Sequence, residues 1–129
     1  MKKILVMLFA VAMLAAAGCG KYTSSWNATM MIQSAQKTKS SMKFSTFEGK
    51  MVYKLKCDDP SKKIVATATL GSGKATVYYD YDDNKEEFFK VSDGDVVEYT
   101  HEGLKEGTVY IIIESDGKCI NGNFSFSIE

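Results

Sequence analysis

The chain has 129 residues, with 16 basic and 16 acidic side chains and a formal net charge of zero at pH 7. Every basic residue is a lysine, so the bidentate guanidinium contacts that recognise phosphate are missing. Because no basic stripe is present to attract a polyanion, the chain is not expected to bind nucleic acid.

The first element is an export signal. Lys2 and Lys3 give it a basic start, and residues 4–17 form an uncharged, largely apolar run of 14 residues. A membrane-spanning helix needs about 20 apolar residues, so the run is predicted to be a cleaved signal peptide. Residues 15–17 also match an ordinary A-x-A cleavage site, and cleavage there would release a soluble secreted protein that begins at Gly18.

Ala17, Gly18 and Cys19 resemble the end of a bacterial lipoprotein signal peptide. In that class a small residue precedes a cysteine that is acylated and becomes the new N-terminus. The resemblance implies that residues 1–18 are the signal peptide and that Cys19 carries the lipid. It also implies an extracytoplasmic protein that is anchored to the membrane by that lipid.

The mature chain of 111 residues is long enough for one domain, and it has 14 basic and 16 acidic side chains. Residues 19–27 are predicted to be the lipidated N-terminus and a flexible tether, because they are mostly small and polar. Residues 28–129 are predicted to form the domain. Residues 26–38 fit either a short helix or a first strand.

Strand-length runs fill the rest of the chain. In residues 51–57 apolar side chains alternate with lysines, which predicts one core-facing side and one lysine-lined side. The runs 63–70 and 74–81 flank a Gly-Ser-Gly segment and predict a hairpin. Four further runs between turn-forming segments follow, at residues 86–91, 95–100, 107–114 and 123–128.

This pattern predicts an all-β protein with a single antiparallel β-sandwich of the jelly-roll or immunoglobulin-like kind. The segments FEGKMVYKL, LKEGTVYIIIESDGK and NGNFSFSIE are similar to the strand-and-turn signatures of small bacterial envelope lipoproteins. The resemblance implies a β-sandwich in the cell envelope and transfers no catalytic residue.

Acidic loops and one histidine are the features that suggest chemistry. Asp80, Asp82 and Asp83, with Asp93 and Asp95 of another loop, could supply oxygen ligands for calcium, but the spacing of an EF-hand is missing. Solvated turns are the preferred interpretation, and no metal or other cofactor is expected. The only histidine, His101, excludes a multi-histidine metal site, and no nucleophile motif accompanies it.

Tyr78 is the predicted ligand contact, since alternation places Tyr79 and Tyr81 on the core face and Tyr78 on the outer face. Two cysteines remain once Cys19 is acylated. Cys57 and Cys119 could form a disulfide outside the cytoplasm, or remain two buried thiols, and the sequence does not decide between these alternatives.

These observations predict a membrane-anchored envelope lipoprotein with a non-enzymatic binding or structural role. The expected partner, besides the membrane, is a glycan, an envelope polymer or a protein surface. The alternative is an envelope hydrolase whose active site has no recognisable sequence motif.

Overall fold

The structure is a computed structural model that describes residues 22–129, so Cys19 and the predicted signal peptide lie outside the described residues. Within residues 22–129 the regular structure consists of strands alone, and no helix there is long and apolar enough to cross a membrane. The strands are β1 (Ser25–Thr29), β2 (Ile32–Ala35), β3 (Lys39–Cys57), β4 (Ile64–Asp80), β5 (Glu86–Ser92), β6 (Val96–His101) and β7 (Gly107–Ile128).

All strand pairs are antiparallel, and the predicted β-sandwich is confirmed. Three long strands, β3, β4 and β7, are each shared by both layers of the sandwich. Sheet I contains β2, the first half of β3, the second half of β7, the first half of β4, and β6. Sheet II contains β1, the second half of β3, the first half of β7, the second half of β4, and β5.

The core lies between the two sheets and follows the alternation of each strand. Sheet I contributes fully buried aromatic and thioether side chains, and sheet II contributes mainly aliphatic ones. Each such side chain contributes about 1.5–3 kcal/mol when it leaves water, so this layer stabilises the fold. The largest members are Phe47 at the bend of β3, Met42, Ile64, Leu70, Phe124 and Phe126 of sheet I, and Met51, Leu55, Val77, Ile111 and Ile113 of sheet II.

The prediction of a hairpin at residues 71–73 is wrong, because β4 runs without interruption through that segment. Gly73, at φ +106°, makes a bend that carries β4 from sheet I to sheet II. The turn-forming segment at residues 115–118, which follows the predicted strand 107–114, is likewise a bend within β7, where Gly117 has φ +78°. The bend in β7 contains two more residues than the facing stretch of β3, since Phe47 pairs with Cys119 and Lys50 with Glu114.

The domain begins earlier than residue 28. β1 starts at Ser25 and pairs with β3 across residues 46–50, so it overlaps the predicted tether. The Trp26 side chain is only 8% exposed, and its burial accounts for the early start. The undecided stretch 26–38 forms β1 and β2 rather than a helix.

Cys57 and Cys119 do not form a disulfide; both are buried free thiols. Cys57 ends β3 opposite Gly107, whereas Cys119 lies near the bend opposite Phe47. Ten positions of β3 separate these two pairings, which corresponds to roughly 30 Å. A disulfide requires Cα atoms within about 7 Å, so the fold itself prevents the bridge.

Candidate functional site

The outer face of sheet I carries a polar groove with a volume of about 470 Å³. Short hydroxyl side chains form its floor, and charged or amide groups stand around it. The groove is lined by Ser34, Gln36, Lys39, Ser40, Ser41, Val65, Thr67, Glu98, Ser125, Phe126, Ser127 and Glu129.

One register row crosses the whole groove. Its members are paired neighbours on β2, β3, β7, β4 and β6, namely Ser34, Ser41, Ser125, Thr67 and Glu98. The residues beside them in sequence, such as Met42 and Phe124, point into the core, so alternation leaves the polar ones outside. Four strand spacings give the row a length of about 19 Å.

A second depression of about 380 Å³ continues the groove toward the bend. It includes Lys43, Thr69 and Asn123, which lie two residues beyond the members of the polar row on the same strands. Met30 and Ile32 stand at its rim and are 72% and 70% exposed. The face therefore offers an extended surface with polar groups along its floor and apolar groups at one margin.

The charges of the groove are few and balanced. Lys39 and Lys43 lie on this face together with Glu98 and Glu129. The Ser127 hydroxyl donates a 2.6 Å hydrogen bond to Glu129 Oε2. Such an arrangement suits a neutral ligand that is rich in hydroxyl groups, because donors and acceptors are abundant while neither sign of charge dominates.

A second feature, the aromatic edge, lies where β5 and β6 form the open side of the sandwich. The rings of Tyr79 and His101 are 4.2 Å apart, and those of Tyr79 and Tyr81 are stacked at 5.6 Å. The Tyr99 ring, 41% exposed, stacks at 4.7 Å on buried Phe89. The aromatic edge consists of Tyr79, Tyr81, Phe88, Phe89, Tyr99 and His101.

His101 is held among aromatic rings rather than in a catalytic triad. Its Nε2 atom lies 3.1 Å from the Tyr81 hydroxyl. Burial lowers the pKa of His101, and the nearby Glu86 carboxylate opposes that shift. Burial also raises the pKa of Tyr79 and of Tyr81. The hydrogen bond and ring contacts of His101 therefore hold its ring within the aromatic edge.

The sequence-predicted contact, Tyr78, lies on the opposite side of the molecule, on the outer face of sheet II. The Lys85 ammonium group stands 4.4 Å from the centre of its ring. Tyr79 and Tyr81, which were predicted to lie in the core, are half-buried at its margin. A contact between Tyr78 and a ligand stays a prediction, and the ligand would have to displace Lys85.

Three of the five aspartates considered as calcium ligands accept hydrogen bonds within the fold. Buried Asp80 accepts from the Tyr22 hydroxyl at 2.7 Å. Asp93 accepts from the Gly73 N–H, and Asp95 from the Ser92 N–H. Among residues 22–129 no group of three histidine, cysteine or acidic side chains is arranged to hold a metal ion.

No family model and no curated protein matches the chain. Its architecture does match solved structures. The fold is similar to that of carbohydrate-binding modules. The module TmCBM61, solved with β-1,4-galactotriose, aligns over 81% of this chain and 87% of its own, with 14% identity and a TM-score of 0.50.

CsCBM6-3 of Clostridium stercorarium, solved with cellobiose, aligns over 81% of this chain and 86% of its own, with 9% identity and a TM-score of 0.42. At such identities the likeness concerns the fold alone. The groove therefore has to be judged by its own residues.

Sequence reasoning missed both the groove and the aromatic edge. The signal for the groove was the alternation of serines with apolar residues at 125 and 127, and the same pattern occurs at Ser41. The signal for the edge was a pair of aromatic rings two residues apart, as at Tyr99 and His101. Neither pattern states which residues of other strands will lie beside it.

Proposed function

We propose that the protein is a non-enzymatic glycan-binding module, held on the outer side of a membrane by a lipid on Cys19. The groove of sheet I is its binding site, and the ligand is a neutral oligosaccharide or polysaccharide. The fold likeness to carbohydrate-binding modules is consistent with this role. The motif at Ala17, Gly18 and Cys19 supports the anchor.

The observation that carries the proposal is the polar row across sheet I. Ser34, Ser41, Ser125 and Thr67 present hydroxyls that both donate and accept hydrogen bonds, and Glu98 adds an acceptor at one end. Sugar hydroxyls need such mixed partners. A row about 19 Å long suits an oligosaccharide better than a single sugar ring.

The two carboxylates of the groove stand too far apart for a retaining glycosidase. Glu98 pairs with Thr67 of β4, and Glu129 pairs with Lys63 on the other side of that strand. Four residues along β4 and two strand spacings place their Cα atoms about 16 Å apart. Even if both side chains reached toward each other, their carboxyl groups would stay wider apart than the roughly 5–5.5 Å of a retaining glycosidase, and the many uncharged hydroxyl groups of the groove favour binding over hydrolysis.

The proposal is tested by titrating the protein with neutral β-linked galactans and glucans in a calorimeter. Ser125→Trp fills the centre of the groove, and we expect at least about a tenfold loss of affinity, or about 1.4 kcal/mol. Tyr78→Ala on sheet II is the matched control and should bind normally. Loss with Tyr78→Ala and none with Ser125→Trp would place the site on the other face.

Salt and mass measurements complete the test. Binding of a neutral glycan should change less than about twofold between low and physiological salt, because few counterions are released. Intact mass of the protein extracted from membranes should show a chain that starts at acylated Cys19. An unmodified N-terminus at Gly18 would contradict the anchor but leave the groove proposal standing.

A further inference from the structure

The first described residues cross the outer face of sheet II. Ser24 Oγ accepts a 2.9 Å hydrogen bond from the Val52 N–H of β3. The Tyr22 ring meets Tyr110 of β7 edge-on at 5.3 Å, and its hydroxyl reaches Asp80 of β4 at 2.7 Å. Residues 22–24 thus pass from β3 over β7 to β4, and we name them the N-terminal strap.

Side chains on the outer face of sheet II are buried where the N-terminal strap lies over them. Ile112 occupies an outward position, since its neighbours Val52 and Tyr78 also point away from the core. Its side chain is nevertheless fully buried and lies outside the core cluster. Asp80, another outward position, is 1% exposed. The outer face of sheet II is therefore covered near Tyr22, whereas the groove on sheet I is open.

The strap limits where an anchor on Cys19 can lie. Tyr22 lies three positions after Cys19, and an extended chain spans at most about 3.5 Å per residue. The lipid-bearing Cys19 would therefore lie within about 10 Å of Tyr22, and so near the outer face of sheet II. It could not reach past the sandwich to the groove on the opposite face.

The charges of the two outer faces differ in the direction that this placement requires. The groove face carries Lys39, Lys43, Glu98 and Glu129, which balance. The outer face of sheet II has an excess of basic groups. Its lysines are Lys50, Lys54, Lys56, Lys74, Lys85 and Lys90, against the carboxylates of Asp80, Glu87, Glu114 and Asp116. Anionic lipid headgroups attract such a surface.

We infer that the outer face of sheet II lies against the anionic surface of the membrane and that the groove of sheet I points away from it. The inference rests on the lipid anchor proposed above. In this orientation a polymer outside the membrane can reach the groove directly, because the groove faces away from the bilayer. The partner of sheet II is thus a lipid headgroup surface.

Lysine footprinting on the full lipidated protein tests this orientation, since β3 carries reporters on both faces. Lys54 and Lys56 lie on sheet II, whereas Lys39 and Lys43 lie on sheet I. Acylation by a membrane-impermeant reagent is compared in vesicles that contain anionic phospholipid and in detergent. We expect several-fold protection of Lys54 and Lys56 in vesicles and unchanged labelling of Lys39 and Lys43.

Two variants show whether the protection depends on the N-terminal strap. Tyr22→Ala removes the ring that holds the strap and should reduce the difference between the two lysine pairs, whereas Tyr99→Ala on the aromatic edge should preserve it. Equal protection of both pairs in the wild-type protein would overturn the orientation and leave glycan binding untouched. A mass without lipid would overturn the orientation together with the anchor.

Discussion

The Tyr22 hydroxyl donates a 2.7 Å hydrogen bond to Oδ2 of Asp80, a residue 58 positions later in the chain. Asp80 is almost fully buried and also accepts from the Asp82 N–H at 3.2 Å. A carboxylate in that position depends on its donors, because burial removes water from it. The contact joins the start of the described chain to the end of β4.

Tyr22→Phe tests this contact, because it removes the hydroxyl and retains the ring. We expect the free energy of unfolding to fall by about 1.5–3 kcal/mol, as for other hydrogen bonds to charged groups. Urea denaturation followed by tryptophan fluorescence measures it. Tyr110→Phe on the same face is the control and should change stability by less than about 0.5 kcal/mol. Equal effects of the two variants would contradict the role of the Tyr22 hydroxyl.

Gly73→Ala tests the bend in β4. A Cβ atom there would lie 2.7 Å from the Lys118 carbonyl oxygen, at a φ of +106° that other residues rarely adopt. We expect a loss of about 2–3 kcal/mol in thermal or urea unfolding. Gly94→Ala is the matched control, since φ there is +75° and no atom lies within 4 Å of the added carbon. It should cost about 1 kcal/mol, which is the strain of that φ angle alone.

Counting thiols tests the cysteines and the anchor together. The Cys119 thiol donates to the Lys74 carbonyl at 3.2 Å, and burial raises its pKa. Cys57 is also fully buried. We therefore expect little reaction with a thiol reagent in the native protein and two reactive thiols after denaturation without reductant. Three thiols would mean that Cys19 is not acylated, and none would mean that a disulfide had formed.

His101 makes stability depend on pH. Because burial lowers its pKa in the folded state, the unfolded chain binds more protons as the pH falls through the ordinary value of 6.5. Stability should therefore decrease from about pH 7 to pH 5.5, a window that lies above the titration of ordinary carboxylates. His101→Gln should flatten this slope in urea denaturation at each pH. An unchanged slope would assign the dependence to other groups.

Sequence alternation was sufficient to predict the strand over residues 51–57, since its apolar side does face the core. The prediction failed at residues 71–73 and 115–118, because glycine-containing segments occur both in hairpin turns and in bends within a strand. The local sequence does not distinguish these two structures. The choice between them depends on whether the flanking halves pair with each other or, as here, each with β7.

The groove and the aromatic edge were unpredictable for a related reason. Both depend on register between strands far apart in sequence, such as Ser41 opposite Ser125 and Thr67 opposite Glu98. The sequence of one strand predicts which of its residues share a face. It does not predict which residues of the neighbouring strands lie beside them. The prediction that Tyr78 faces away from the core was correct. The sequence did not show that this outer face of sheet II is partly covered, whereas the outer face of sheet I is open.

The position of β7 has a consequence for how the protein is made. β7 is the last strand of the chain and lies in the middle of the sheet order, between β3 and β4. Until its 22 residues have left the ribosome, the other long strands lack the neighbour that joins them. The long strands therefore cannot take up their places in the sandwich until β7 is present, so the folding of this unit follows the synthesis of β7.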